Sequence, residues 1–204
     1  NLRALTRPGS TVPFDGISFD QLLTEGPQRL NLPRDWAPFA RGGFPTPSGK
    51  CELFSPGELA AGRDPLPHYI PPHEDPQTQP ALAARFPLQM ITPPTPAFLN
   101  TTFANLDKSL KKAGEQKVEI HPTDAKARNI ADGDSVRVFN GRGSFRAKAV
   151  VGESVQPGVT VAFGIWWNKL AGGANVNAIT STALTDQGGG ATFYDNLVEI
   201  ERVG

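Results

Sequence analysis

The stretch "IADGDSVRVFNGRGSFRAKAVV", Ile130 to Val151, constrains the fold more than any other part of the chain. A turn at Asp132-Gly133 leads into a strand with Val136 and Val138 on one face. An Asn140-Gly141 turn then returns a second strand that alternates through Phe145, Ala147 and Ala149. Period-two alternation around an Asn-Gly turn is the pattern of a half-buried hairpin. The same grammar recurs nearby. Leu88, Met90 and Ile91 run into a proline-rich corner, "KVEI" reads as a strand, and Pro157-Gly158 turns the chain into "VTVAF". The helical segments between these strands are brief. "LNTTFANLDKSLKKAG" reads as a loop and a short helix ending near Gly114. "HPTDAKARNI" reads as one helical segment capped by Thr123 or Asp124, with Asn129 at the left-handed position that Asn tolerates. Many short strands with glycine-rich turns predict a mainly β fold that closes into a barrel.

Residues 1–86 have another character, exemplified by "PRDWAPFARGGFPTPSGK" and "GRDPLPHYIPPHEDPQTQP". Proline removes backbone donors and favours extended or turn geometry, so this reads as irregular chain that must lie on another surface. A short helix fits "SFDQLLTEG", capped by Ser18 and ended by Gly26, and "GKCELFS" reads as a strand with Cys51 and Leu53 on one face. Cys51 is expected to be a small buried apolar side chain. The domain division is therefore 1–86, an irregular Pro/Gly-rich segment, and 87–204, the barrel.

Composition excludes several classes of function. The 20 basic and 20 acidic residues cancel and no Lys/Arg run stands out, which argues against a nucleic-acid partner. "VTVAFGIWW" is too short to span a bilayer, and no signal-peptide core is visible at the start. One cysteine and three histidines, His68, His73 and His121, offer no zinc or iron–sulfur cluster, so no metal site is expected within this chain. Asn100-Thr101-Thr102 fits the short N-glycosylation pattern, with nothing else to indicate secretion. A start at Asn1 rather than Met is what a processed product or a piece of a longer protein would show.

"IHPTDAKARNIADGDSVRVFNGRG" followed by "VNAITSTALTDQGGGATFYDNLVEIE" resembles the C-terminal dinucleotide-binding domain of the molybdopterin oxidoreductases, the dimethyl sulfoxide reductase family. The similarity covers roughly residues 87 to 202, and "FPTPSGKCEL" and "DPLPHYIPP" look like the segment that precedes the barrel in those enzymes. The resemblance implies a six-stranded double-psi β-barrel. It also implies a cofactor of molybdenum or tungsten held by two pterin dinucleotides, usually molybdopterin guanine dinucleotide, shared with domains upstream.

The resemblance points to particular residues. Asp186 is suited to the adjacent N–H donors of a guanine edge, or else to an Asx-turn ahead of the glycines. Gly188, Gly189 and Gly190 leave main-chain N–H groups open to a diphosphate. Asn177, in "VNAIT", matches a recurrent Asn of the family, and Thr180 adds a hydroxyl. Tyr194 faces either core or cofactor, whereas Phe193 is assigned to the core. Trp166 and Trp167 point to opposite faces, one to the core and one to the pterin approach. Where relatives carry an Arg- or His-containing loop, this chain has Pro93 and Pro94, with Asn100, Thr101 and Thr102 as the polar substitutes. His121 is read as stabilising a turn, and "GRGSF" lacks the later glycine of a nucleotide fingerprint.

In that family the iron–sulfur cysteines, the metal ligand and most of the substrate funnel lie in preceding domains. The implied partners are those upstream domains and a small-molecule redox substrate, and the 204 residues alone are expected to be catalytically inactive. The competing reading is a non-enzymatic double-psi interaction or substrate-recognition module, with a self-contained surface and no convergent polar loops. A decarboxylase-like barrel would need a self-processing serine, for which "GRGSFRAK" offers only Ser144.

Overall fold

Alternation along the strands is carried into burial throughout the computed structural model, which describes Phe14 and residues 16–204. Strand β1 (Leu88–Ile91) buries Leu88 and Met90, and β2 (Lys117–Ile120) buries Val118 and Ile120. Strand β3 (Ser135–Phe139) buries Val136 and Val138, against Phe145, Ala147 and Ala149 of β4 (Ser144–Val151). In β6 (Asn196–Arg202) Val198 and Ile200 are buried. The short β5 (Val159–Val161) buries Thr160, whose hydroxyl donates to the Glu119 carbonyl at 2.6 Å and so escapes the penalty of an unpaired buried group. Each large apolar side chain removed from water contributes roughly 1.5 to 3 kcal/mol, so this interior is the main stabilising element of the chain.

The strands close in the order β1-β5-β2-β4-β3-β6. Pairs β1·β5 and β2·β4 are parallel; the other four are antiparallel. Exchanging β1, β2 and β3 with β4, β5 and β6 maps this pattern onto itself, parallel onto parallel and antiparallel onto antiparallel. Every hydrogen-bonded pair thus joins one strand of the first three to one of the last three. This interlocked closure is a six-stranded double-psi β-barrel.

Among the described residues there are five short α-helices: α1 (Phe19–Glu25), α2 (Pro56–Ala60), α3 (Pro80–Ala83), α4 (Asp107–Ala113) and α5 (Pro122–Ala127). No helix among the described residues is long and apolar enough to cross a membrane. Ser18 caps α1 in a reciprocal box with Gln21, and Gly26 and Gly114 end α1 and α4. The cap of α5 differs from expectation. Pro122 occupies the first helical position, which leaves His121 as the cap, with Nδ1 accepting from the Thr123 N–H at 3.2 Å. Thr123 and Asp124 lie inside the first turn, and the Asp124 carboxylate instead accepts from the Gly158 N–H at 2.7 Å. Asn129 has φ 54° as anticipated.

The chain forms two compact units, Asn1–His68 and Tyr69–Gly204. Residues 69–86 group with the barrel, which places the boundary earlier than the composition change at 86/87 suggests: Glu74 and His73 bond to residues beyond 140, and Phe86 is buried. In the first unit neither α1 nor α2 has a buried residue. The anticipated strand at "GKCELFS" is absent, since those residues have no strand partner, and Cys51 and Leu53 are exposed rather than buried.

Candidate functional site

The strand directions decide where the loops emerge. Because Met90 lies opposite Asn196, β1 ends where β6 begins, and β5 runs parallel to β1. The β3–β4 turn lies beside the start of β6, since Phe139 pairs with Glu199. Residues 92–106, the turn 140–143 and the long connection 162–195 therefore leave the same end of the barrel. All ten residues singled out for cofactor contact lie in two of these segments. Convergent polar loops at one end are what the interaction-module reading did not anticipate.

Two of the loops are welded together. Trp166 is buried and meets Phe98 edge-on with ring centroids 5.4 Å apart, while Ala104 and Ala171 complete the cluster. Trp167 is only half-buried and packs against the margin of this cluster, donating from Nε1 to the Thr101 carbonyl at 2.8 Å with Lys169 Nζ 4.8 Å from its ring centre. This settles which tryptophan belongs to the core. The Gly164 N–H donates to the Pro93 carbonyl at 2.8 Å, so the proline corner is a fixed support. Leu99 and Thr102 close a tight turn on one another, with Asn100 at φ 50°. That turn presents Asn100, Thr101 and Thr102 to solvent.

The long connection is organised from within by asparagines. Asn175 is buried; its amide donates to the Trp166 carbonyl and to Asn168 Oδ1, and its Oδ1 accepts from the Asn177 N–H at 2.9 Å. The Asn177 side chain itself is exposed and has no partner among the described residues. Thr180 donates its hydroxyl to the Val176 carbonyl at 3.0 Å.

Further on, Leu184 pairs with Ala191 and the Thr185 hydroxyl accepts from the Gly190 N–H at 2.9 Å. The glycine run is thus the tip of a small hairpin. Gly189 takes φ 59°, whereas the N–H groups of Gly188 and Gly189 have no partner among the described residues. One oxygen of Asp186 accepts only from the neighbouring Gln187 N–H, at 3.0 Å. The carboxylate faces a cleft of about 320 Å³ lined by Pro71, Pro72, His73, Leu184, Thr192 and Asp195 among others. Asn177 does not line that cleft. Phe193 and Tyr194 are both exposed and lean on each other, centroids 4.5 Å apart. Phe193 is therefore not a core residue: it sits in a turn closed by the Asp195 N–H on the Thr192 carbonyl, before β6 starts, where strand alternation does not apply.

Several site residues escaped the sequence reading. Glu74 and Arg142 form a two-pronged ion pair. Arg142 Nε donates to the Ile179 carbonyl at 2.8 Å and Nη2 to Asn196 Oδ1 at 3.2 Å. That Asn196 oxygen also accepts from the Ser181 N–H at 2.9 Å, and Glu74 Oε2 from the Leu197 N–H at 2.8 Å. Asn140 adds its amide to the Ile179 carbonyl at 2.9 Å. The signal for Arg142 lay in "NGRG", where a bulky cation inside a tight turn needs a purpose; nothing local to Glu74 announces a partner so distant in sequence.

The donor set suits a guanine dinucleotide. A carboxylate is open to paired ring donors, two exposed N–H groups beside it are open to phosphate oxygens, and hydroxyl and amide groups surround them.

Comparison with known proteins identifies relatives of the chain. "Probable oxidoreductase YoaE" of Bacillus subtilis is 40% identical over 166 residues, covering 81% of this chain and 23% of that protein. "Dimethyl sulfoxide reductase DmsA" of Escherichia coli is 34% identical over 173 residues, covering 78% and 21%. The chain thus spans about a fifth of the length of these curated relatives. Acetylene hydratase from Pelobacter acetylenicus shares the fold, with a TM-score of 0.73 at 18% identity over 92% of this chain and 28% of that one. The family described as "Molydopterin dinucleotide binding domain" matches residues 88–197, and the chain belongs to that family.

Proposed function

We propose that this chain is the cofactor-closing portion of a larger molybdopterin-dependent oxidoreductase, and that its loop end binds and orients a bis-pterin guanine dinucleotide carrying molybdenum or tungsten. The supporting observation is the Asp186 cleft, with the unpartnered N–H groups of Gly188 and Gly189 beside it at the end of the barrel where the long loops gather. Asp186 receives the guanine edge and the N–H groups of Gly188 and Gly189 the phosphate oxygens, Gly190 holding the hairpin through Thr185, and Asn100, Thr101, Thr102, Asn177, Thr180 and Tyr194 supply further contacts from the same end. When bound, the group supplies the redox-active metal. The residues of this chain orient it and exclude water, while the groups that select a small-molecule redox substrate belong to other domains of the polypeptide.

The first unit fits this role as a segment that lies on those other domains. Leu23, Trp36, Phe39, Leu53, Leu59 and Leu66 are all exposed, an apolar display that a free surface does not favour.

The test is Asp186→Ala in the full-length protein, with bound guanine nucleotide measured after acid release. Ring donors left unpaired cost roughly 1 to 3 kcal/mol each. Cofactor retention is therefore expected to fall about tenfold or more while the barrel stays folded. Full occupancy and unchanged dissociation would refute the assignment.

A further inference from the structure

Residues 70–74, "IPPHE", precede the barrel in sequence yet lie along its long loop. Two prolines stiffen this strap. His73 donates from its backbone N–H to Asp195 Oδ2 at 3.2 Å, and from Nε2 to the Leu184 carbonyl at 3.0 Å. A carbonyl only accepts, so that ring nitrogen carries the proton. The next residue, Glu74, is buried, and its carboxylate holds Arg142 through both oxygens and the Leu197 N–H through Oε2. Through Arg142 the same charge reaches the Ile179 carbonyl and Asn196 Oδ1, which in turn holds Ser181. The contacts fall on both stems of the 179–197 excursion, the part that carries Asp186 and the glycines.

We propose that Glu74 is a positioning residue for the dinucleotide: from outside the barrel it clamps both stems of the 179–197 loop, through Arg142 on one side and Leu197 on the other. Glu74 hydrogen-bonds to none of the residues assigned to the cofactor. Its effect passes through the loop's stems, which a single buried carboxylate holds in one register. Arg142 suits this because its planar fork fixes direction as well as charge. The proposal rests on the reading that the Asp186 loop holds the dinucleotide.

The experiment compares Glu74→Gln with the parent in the full-length, cofactor-loaded protein by amide exchange and by the rate of guanine dinucleotide release. Exchange across residues 180–195 is expected to quicken about tenfold, with strand amides of β2, β3 and β4 unchanged, and cofactor release to quicken by a similar factor. A double variant, Glu74→Leu with Arg142→Met, removes both charges. It is expected to regain thermal stability without regaining loop protection, because the bonds to Ile179 and Asn196 are gone. An ion pair that only stabilises the fold would restore both, and that result overturns the proposal. Unchanged loop exchange in Glu74→Gln overturns it as well. If the loop loosens while release stays constant, Glu74 does not position the cofactor, and Asp186→Ala then separates the two ideas. Faster release in Asp186→Ala leaves the cofactor reading standing and removes only the role of Glu74; no change in either variant removes both.

Discussion

Gly143→Ala probes the closest approach between the barrel and its long loop. A Cβ built on Gly143 lies 2.5 Å from the Ala178 carbonyl oxygen and 3.4 Å from its carbon. The obstacle is backbone, so no side chain can swing aside, and reaching ordinary contact requires the loop to retreat by about 1 Å. Overpacking of this kind costs roughly 1 to 3 kcal/mol. The neighbouring Ile179 carbonyl receives both Asn140 Nδ2 at 2.9 Å and Arg142 Nε at 2.8 Å, and losing one of those bonds adds about 1 kcal/mol. The expected total of about 2 to 4 kcal/mol corresponds to a fall in melting temperature of roughly 6 to 12 °C for a unit of this size. Gly143 does not have a positive φ, so backbone strain plays no part. Gly141, in the same turn, has nothing within 4 Å of its would-be Cβ and likewise no positive φ, so Gly141→Ala is expected to change stability by less than about 0.5 kcal/mol. Thermal unfolding of the 204-residue chain checks both. Equal melting temperatures for the two variants would show that the turn and the loop are not in contact at Ala178.

Two further outcomes follow from the first unit. Amides of α1 and α2 are expected to exchange much faster than those of β2 to β4, because short helices without a buried residue have only local hydrogen bonds to protect them; equal protection would contradict the idea that this unit leans on other domains. The hydrogen bonds from Arg63 hold the Glu58 carboxyl below the usual glutamate range, so the stabilisation from this pair is present above the ordinary carboxylate value and is lost as pH falls through the lowered one. A side-chain NMR titration should show the Glu58 midpoint rise in Arg63→Gln, and an unmoved midpoint would mean that Arg63 is not the cause.

The barrel was readable because a strand with one face in the core must alternate, and Val136, Val138, Phe145, Ala147 and Ala149 do so without interruption. The same rule failed at Phe193, where the chain is still turning and has not yet joined β6. It failed again at Cys51, where a short apolar stretch has no neighbouring strand to pair with. At α5 the proline moved the cap by fixing the first helical position. Glycines and Asp186 stood out because their composition is unusual for any ordinary strand end. Glu74 did not, since a carboxylate among prolines is unremarkable until the fold brings residue 197 against it. Asn196 opens β6 and was not singled out from the sequence, yet it is fully buried, held by Arg142, Ser181 and the Phe193 carbonyl.

The interlocked strand order also bears on synthesis. A nascent chain holding only β1, β2 and β3 has no two strands that pair with one another, because every partner still lies ahead. The arrival of β4 permits pairing with β2 and β3, but β1 waits for β5 and β6. Closure therefore depends on Asn196–Arg202 leaving the ribosome, and until then the apolar faces of the earlier strands remain in contact with water or with whatever shields them. Apart from the β3–β4 hairpin every pair in the barrel is long-range, so it folds late and cooperatively. The loop that carries Asp186 is closed at its far stem by β6 itself, so the cleft proposed for the dinucleotide is unfinished until translation has passed residue 202.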